Sequence, residues 1–337
     1  MHLENFGSYK ADNRLVYFDI NDFDEAALAP LTWDLIRLAT SILVAAPTLG
    51  LPIDEAKILC QTFLESYQSA LATGKSYWIE RDNTTGMVHY LLDSLRHRQR
   101  CDFLDRYTIL KGKNRHLVID GKKALPITPK QRKKIIAWMN VFAEKQIDKN
   151  FFQVLDVAKR VAGTGSLGVD RYLLLVHGRG GINGNYLLDL KQSIPSSLVS
   201  HVNVPQPQWK TEADRTVTLQ RRMQAMSMAF LQSVKIGKQS YILRALLPTE
   251  DRVTLDLTLN SFKEFQALIK VMAGLVASAH LRSSGRDGSA IADDLIAFSK
   301  KRKWGKQLLT IANDSAMQVE KDWITYCTAY DDGIFAC

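Results

Sequence analysis

Gly163-Thr164-Gly165-Ser166-Leu167-Gly168, then Arg171-Tyr172-Leu173-Leu174-Leu175-Val176, then Tyr186-Leu187-Leu188-Asp189-Leu190-Lys191: the reading of the fold turns on this stretch. The first six residues fit G-x-G-x-x-G, a weak pattern by itself because glycines also serve ordinary turns. In a dinucleotide-binding fold such glycines lead from a strand into a helix, with an acidic residue about 20 positions on. Here a second strand-like run follows instead, and a glycine-rich turn, Gly178 to Gly184, separates it from a third that ends in lysine. Small residues let backbone amides approach phosphate oxygens, and an ammonium group ending an apolar strand neutralises their charge. Gly163, Gly165, Ser166, Gly168 and Lys191 are therefore candidates for holding nucleotide phosphates, against the alternative of a plain hairpin with an incidental lysine.

Outward from this stretch, Leu155 to Val161, Phe230 to Ile236 and Tyr241 to Leu246 also read as strands, giving a mostly antiparallel sheet. A helix over about Thr211 to Met226 interrupts it. Upstream, Leu15 to Ile20 reads as a short strand and Arg106 to Leu110 with His116 to Ile119 as a small hairpin. Apolar residues at three- and four-residue spacing predict helices over Thr32 to Ala46, Ile53 to Ala72 and Thr85 to Arg100, and Pro129 opens another running to about Gln146. Helices over Ser261 to Leu281, Ser289 to Ser299 and Trp304 to Tyr326 close the chain. The expected organisation is α+β: a mainly helical part over 1–150, a β-rich part over 151–255, and C-terminal helices over 256–337 completing the helical portion.

Near the N-terminus, Asn5, Asp19 and Asp22 are hard oxygen ligands flanking a short strand, suited to Mg²⁺ or Mn²⁺ bound together with nucleotide phosphates. Asp12, Asp24 and Glu25 add negative charge. Phe18, Ile20 and Phe23 alternate with the acids as though the segment packs, whereas a bare acidic loop capping the next helix would not need them.

The 337 residues exceed a usual single domain, and 46% hydrophobic with 23% charged residues is an ordinary globular composition. No run of 18 apolar residues predicts a membrane span, and the first residues lack the basic and apolar regions of a secretory signal, so a cytoplasmic protein is expected. Four scattered cysteines without C-x-x-C spacing read as reduced thiols. The net charge of +9 suits a phosphate-rich partner, but the basic runs at 96–100, 130–134 and 300–303 read as solvated helix faces rather than a nucleic-acid surface. Neither a serine-histidine-aspartate arrangement nor an H-E-x-x-H zinc motif is present.

Met1-His2-Leu3-Glu4-Asn5-Phe6-Gly7 resembles the tail of the G-D-x-H-x-x-N-F-G motif of the bacterial family called domain of unknown function 2252. The likeness continues through Phe18 to Glu25, Trp33 to Leu38, the glycine loop, Leu190-Lys191, Gln220-Arg221, Met223-Gln224 and Ala279-His280. That family in turn looks like the aminoglycoside and choline phosphotransferase branch of the protein-kinase-like fold, in which a glycine loop covers the ATP phosphates and a lysine on the third strand contacts them. The resemblance implies ATP and Mg²⁺ as cofactors, a small-molecule or protein acceptor, Asn5 and Asp22 as metal ligands with Asp19 as a second candidate, and a structural Asp34. Asp22 and Asp34 stand twelve positions apart, as the corresponding aspartates of that branch do.

Two departures follow. In the family the base aspartate stands five residues before the asparagine, and counting back from Asn5 passes Met1; either the gene begins upstream or the protein is a truncated or inactive version. The metal residues also precede the glycine loop, which implies a circularly permuted, two-lobed kinase-like fold. Gln192 follows Lys191 where the family usually has glutamate, leaving Glu212 or Gln220 as expected partners of the lysine, and His280 with Arg282 as possible phosphate contacts. An inactive nucleotide-binding regulatory module and a basic nucleic-acid-binding protein are the alternatives to a phosphotransferase.

Overall fold

The three- and four-residue apolar spacing does produce helices, and the spaced residues are the ones that bury. In α1 (Thr32–Ala45) they are Leu35, Leu38, Ala39 and Ile42; in α2 (Ile53–Ala72) they are Leu59, Cys60, Phe63, Tyr67 and Leu71. The structure, a computed structural model, describes residues 1–163, 167–247, 251–256, 260–301 and 303–335. Within these, α1, α2 and α3 (Gly86–Arg96) from the first hundred residues share one hydrophobic core with α7 (Phe262–Ser283), α8 (Ala292–Ser299) and the start of α9 (Trp304–Asp331). The two ends of the chain thus build a single helical body. Its centre is α7, which Ser261 and Glu264 cap reciprocally and which buries every residue from Met272 to Leu281.

The sheet comes from the middle of the chain. β5 (Ala124–Leu125), β6 (Val154–Arg160), β7 (Arg171–Val176), β8 (Tyr186–Gln192), β9 (Gln232–Ile236) and β10 (Gln239–Ala245) lie in the order β5-β6-β7-β8-β10-β9, each pair antiparallel. Between β8 and β9 runs α6 (Glu212–Met223), with Thr211 accepting from Asp214 N as its cap. α5 (Pro129–Ala143) opens with Thr128 and Gln131 in a capping box and Pro129 in its first turn. It packs Ile135, Met139 and Phe142 on the face of the sheet that carries Leu174, Leu188, Leu190 and Leu243, so by packing it belongs to the sheet rather than to the helical body.

Two hairpins complete the fold. β3 (Thr108–Lys111) pairs with β4 (Asn114–Leu117) after the short α4 (Arg100–Asp105), and β1 (Phe6–Lys10) pairs with β2 (Val16–Ile20), setting Gly7 opposite Asp19. β1 carries little strand signal in sequence because Gly7 and Ser8 weaken it; pairing with β2 supplies its order. Phe6, Phe18 and Ile20 insert into the helical core, while Tyr9 and Tyr17 pack with Val217 of α6 and Ile242 of β10. This hairpin therefore bridges the helical body and the sheet.

Cys60, Cys101 and Cys327 are free thiols, and no helix among the described residues is long and apolar enough to cross a membrane. The latter part of α9 leaves its helical neighbours, exposing Trp323, Tyr326 and Tyr330, which stack in series.

A close approach in the helical core is testable. A Cβ at Gly274 of α7 would lie 1.7 Å from the Tyr77 hydroxyl, and Tyr77 is itself tied to α7 by its N–H to Ser278 Oγ at 3.1 Å. Gly274→Ala is expected to destabilise by about 1–3 kcal/mol in urea unfolding through overpacking, and Tyr77→Leu in the same chain should return part of that loss.

Candidate functional site

Residues 24 to 28 are held at the β8 end of the sheet by groups from residues 191 to 215. Lys191 Nζ forms an ion pair with Asp24 Oδ2. Ser197 N donates to Glu25 Oε2 at 2.7 Å, and Ser196 Oγ donates to the same oxygen at 3.0 Å. The Gln206 amide both accepts from Leu28 N at 2.9 Å and donates to Leu28 O at 2.7 Å. Arg215 of α6, only 3% exposed, donates from Nη2 to the carbonyls of Asp24 at 2.9 Å and Ile194 at 3.1 Å, from Nη1 to Ala26 O, and from Nε to Glu212 Oε2 at 2.7 Å. Glu212 is thus occupied by Arg215, and Gln220 donates to Gln224 Oε1 at 3.2 Å. The partner of Lys191 is Asp24.

The acidic segment so fixed presents Asn5 and Asp22 together. Asn5 is buried, accepts His2 N at 2.7 Å through Oδ1, and donates from Nδ2 to Asp22 Oδ2 at 3.2 Å. Asp22 is exposed and, among the described residues, takes that bond and a 3.4 Å contact from Asp24 N. Asp19 is different in kind. It is 1% exposed, and its oxygens accept Ile20 N at 2.9 Å and Ala225 N at 3.0 Å, with Arg282 Nη1 3.6 Å away. Burial pushes its pKa up to about 6, opposed by Arg282 and the two amides. Its bonds tie β2 to the turn after α6.

On the sheet, β7 and β8 bring a cluster of charges to the face opposite α5. Asp189, fully buried, receives Arg171 through both oxygens at 2.8 and 2.7 Å, with Arg160 Nη1 at 2.9 Å and Arg244 Nε at 3.5 Å. Burial alone would raise the Asp189 pKa; Arg160 and Arg171 overcome it and hold the group well below the usual carboxylate range. Arg171 stands directly across the ladder from Lys191. It also donates from Nη1 to Ala162 O at 3.1 Å, at the start of the glycine loop.

The loop itself joins β6 to β7, as its sequence order requires. Gly163 and Gly168 have φ of 71° and 76°, a region L side chains rarely adopt, and open space surrounds the position of a Cβ at each. Gly165 and Ser166 lie outside the described residues. His280 pairs within the helical body, with Tyr67 Oη at 2.8 Å and Asp34 Oδ2 at 3.3 Å, whereas Arg282 ties α7 to the end of α6, its Nη1 donating to Met223 O at 2.6 Å.

Sequence reasoning missed Arg160, Arg215, Arg244 and the pairing role of Asp24, since none of them belongs to a short motif. The alternation of Leu187, Asp189 and Lys191 on one face of an apolar strand is the signal that could have found the first and third, because a carboxylate buried there needs cations around it. A shallow cavity of about 330 Å³ between Pro205 to Trp209 and Asp287 to Gly288 is lined by none of the residues named from sequence.

The Asp19 environment sets a pH dependence. Its folded pKa lies above the ordinary 3.8, so the folded state holds this proton more tightly, and the stability so gained is complete below about pH 4 and lost as pH rises through about 6. In urea unfolding, Asp19→Asn should therefore gain on wild type by on the order of 3 kcal/mol between pH 4 and 7.5. A difference independent of pH would contradict that environment.

No curated protein and no solved structure matches the chain. A family model does match, over residues 1–329, and it covers the hairpin with Asn5 and Asp22, the glycine loop, Lys191 and the helices beneath them; the chain belongs to DUF2252, a family of uncharacterized proteins conserved in bacteria.

Proposed function

We propose that this protein binds a nucleoside triphosphate with Mg²⁺ or Mn²⁺ and is a kinase-like phosphotransferase whose acceptor is a small molecule or protein. The observation that carries the reading is the Lys191–Asp24 ion pair, which sets the segment bearing Asn5 and Asp22 beside the glycine-loop strands although some 167 residues separate the partners. Strand topology supports it as well. Three consecutive antiparallel strands carry the glycine loop between the first two and the lysine on the third, and a helix precedes the last hairpin, as in the nucleotide lobe of protein kinases. On this reading the helical body is the second lobe, and the order of the motifs is circularly permuted.

The residues present fit the metal. Among the described residues no three His, Cys, Asp or Glu side chains converge to hold an ion by themselves, but Mg²⁺ in nucleotide sites is commonly held by one or two side-chain oxygens with phosphate oxygens and water completing the shell. Asn5 and Asp22 would supply the protein's share, and the ion would neutralise charge on the phosphates. The backbone N–H groups of the glycine loop would orient the phosphate chain, with Lys191 offsetting its charge. Arg215 acts indirectly, holding the acidic segment in reach. The nucleic-acid alternative loses support from two of the basic residues that suggested it: Arg98 is paired with Asp251 at 2.6 Å, and Arg100 lies over the Tyr186 ring at 4.0 Å.

Calorimetric titration with ATP, with and without Mg²⁺, tests this. Wild type should bind Mg·ATP, Lys191→Ala should weaken binding by about tenfold or more under both conditions, and Asp22→Ala should weaken it mainly when Mg²⁺ is present. Absent binding, or equal binding by all three proteins, would overturn the reading. Transfer of labelled γ-phosphate to water or an added acceptor then separates an active enzyme from an inactive nucleotide-binding module.

A further inference from the structure

The cations on the sheet face outnumber what their neighbours need. Among the described residues, Arg160, Arg171, Arg244 and Lys191 share that face and form their ion pairs with two carboxylates, Asp189 and Asp24. The side chains of Arg160 and Arg244 are 11% and 17% exposed, so their charge is largely removed from water. Asp189 spends its best hydrogen-bonding geometry on the two-pronged contact from Arg171. Arg160 Nη1 is ion-paired with Asp189 Oδ1 at 2.9 Å in poor hydrogen-bond geometry and has no other partner among the described residues. Its Nη2 makes only a 3.3 Å bond, to Leu247 O. The contact of Arg244 with Asp189 is 3.5 Å long. A buried guanidinium nitrogen held in poor hydrogen-bond geometry is costly unless an anion accepts from it.

Their position says where that anion lies. Arg160 ends β6 and Arg171 begins β7, so the two form the stems of the glycine loop, and Lys191 faces Arg171 on the next strand. Arg244 faces Asp189 on β10. Like charges set directly across a ladder repel, and the arrangement persists because carboxylates lie between them. A phosphate chain approaching the ends of β6 and β7 would meet Lys191 and Arg160 first, with Arg244 two residues further along the same face.

We infer that Arg160 and Arg244 form an anion subsite that binds a chain of two or more phosphoryl groups directly, without a metal ion. This rests on the proposed nucleotide reading for the identity of the natural ligand, but the subsite can be tested apart from it. The probe is inorganic tripolyphosphate, titrated calorimetrically at low salt with EDTA present, beside a parallel titration with Mg·ATP.

Wild type should bind tripolyphosphate, and Arg160→Gln and Arg244→Gln should each weaken it by about tenfold or more while still melting cooperatively. Wild type that does not bind tripolyphosphate, or variants that bind it as well as wild type does, would overturn the inference; Mg·ATP binding could still stand in that case. Variants that lose tripolyphosphate while wild type ignores Mg·ATP would instead sink the nucleotide reading and keep the subsite. Should either variant fail to fold, arginine modification of wild type by phenylglyoxal decides: tripolyphosphate must protect Arg160 and Arg244, and equal labelling with and without it means the arginines serve Asp189 alone.

Discussion

One ion pair, Lys191 with Asp24, joins the acidic segment to the sheet, and the candidate site depends on that junction. It fastens a segment from the chain's first thirty residues to the third strand from the sheet's edge. Alone it would be a modest link, because the Asp24 side chain is 39% exposed and water screens such pairs. It is reinforced by Arg215, whose guanidinium spreads over the backbone carbonyls of Asp24, Ala26 and Ile194, and by Ser196 and Ser197 on Glu25. These bonds fix backbone as well as side chain, so Asp22 is aimed by the residues that follow it. Asn5 is aimed by pairing of β1 with β2.

The helical body gives this arrangement its base. α7 lies at its centre, and the hairpin of β1 and β2 sends Phe6, Phe18 and Ile20 into the same core. Because Phe18 and Ile20 flank Asp19 along β2, the strand period of two that buries the apolar side chains turns Asp19 toward the end of α6. Asp19 and Gln224 then bond across that junction, Gln224 Nε2 reaching Ile20 O at 2.7 Å. Hydrophobic burial places the hairpin, and buried polar bonds fix its angle to the sheet.

Much of this was legible in sequence where a local pattern carried it. α2 begins and ends as its periodicity predicts, and the strands before and after the glycine loop fall within a residue of their expected bounds. The lysine's strand and the helix after it follow from the same reading. What sequence could not supply was pairing at long range. Gln192 drew attention to Glu212 as a neighbour for Lys191, yet the carboxylate that arrives is Asp24, and nothing in the spacing of 24 and 191 announces it. The arginines around Asp189 were hidden for the same reason: each lies on a different strand, and only strand register brings them to one carboxylate. Capped helices and turns are local; charge clusters are made by topology.

On the proposed reading, the acidic segment and the glycine-loop strands form one site. Anomalous diffraction from crystals grown with Mn²⁺ and a non-hydrolysable ATP analogue tests it most directly. The expected result is a manganese peak in contact with Asn5 and Asp22, with the analogue's phosphates between that ion and Lys191. A manganese peak elsewhere, or phosphates bound away from Lys191, would contradict the claim.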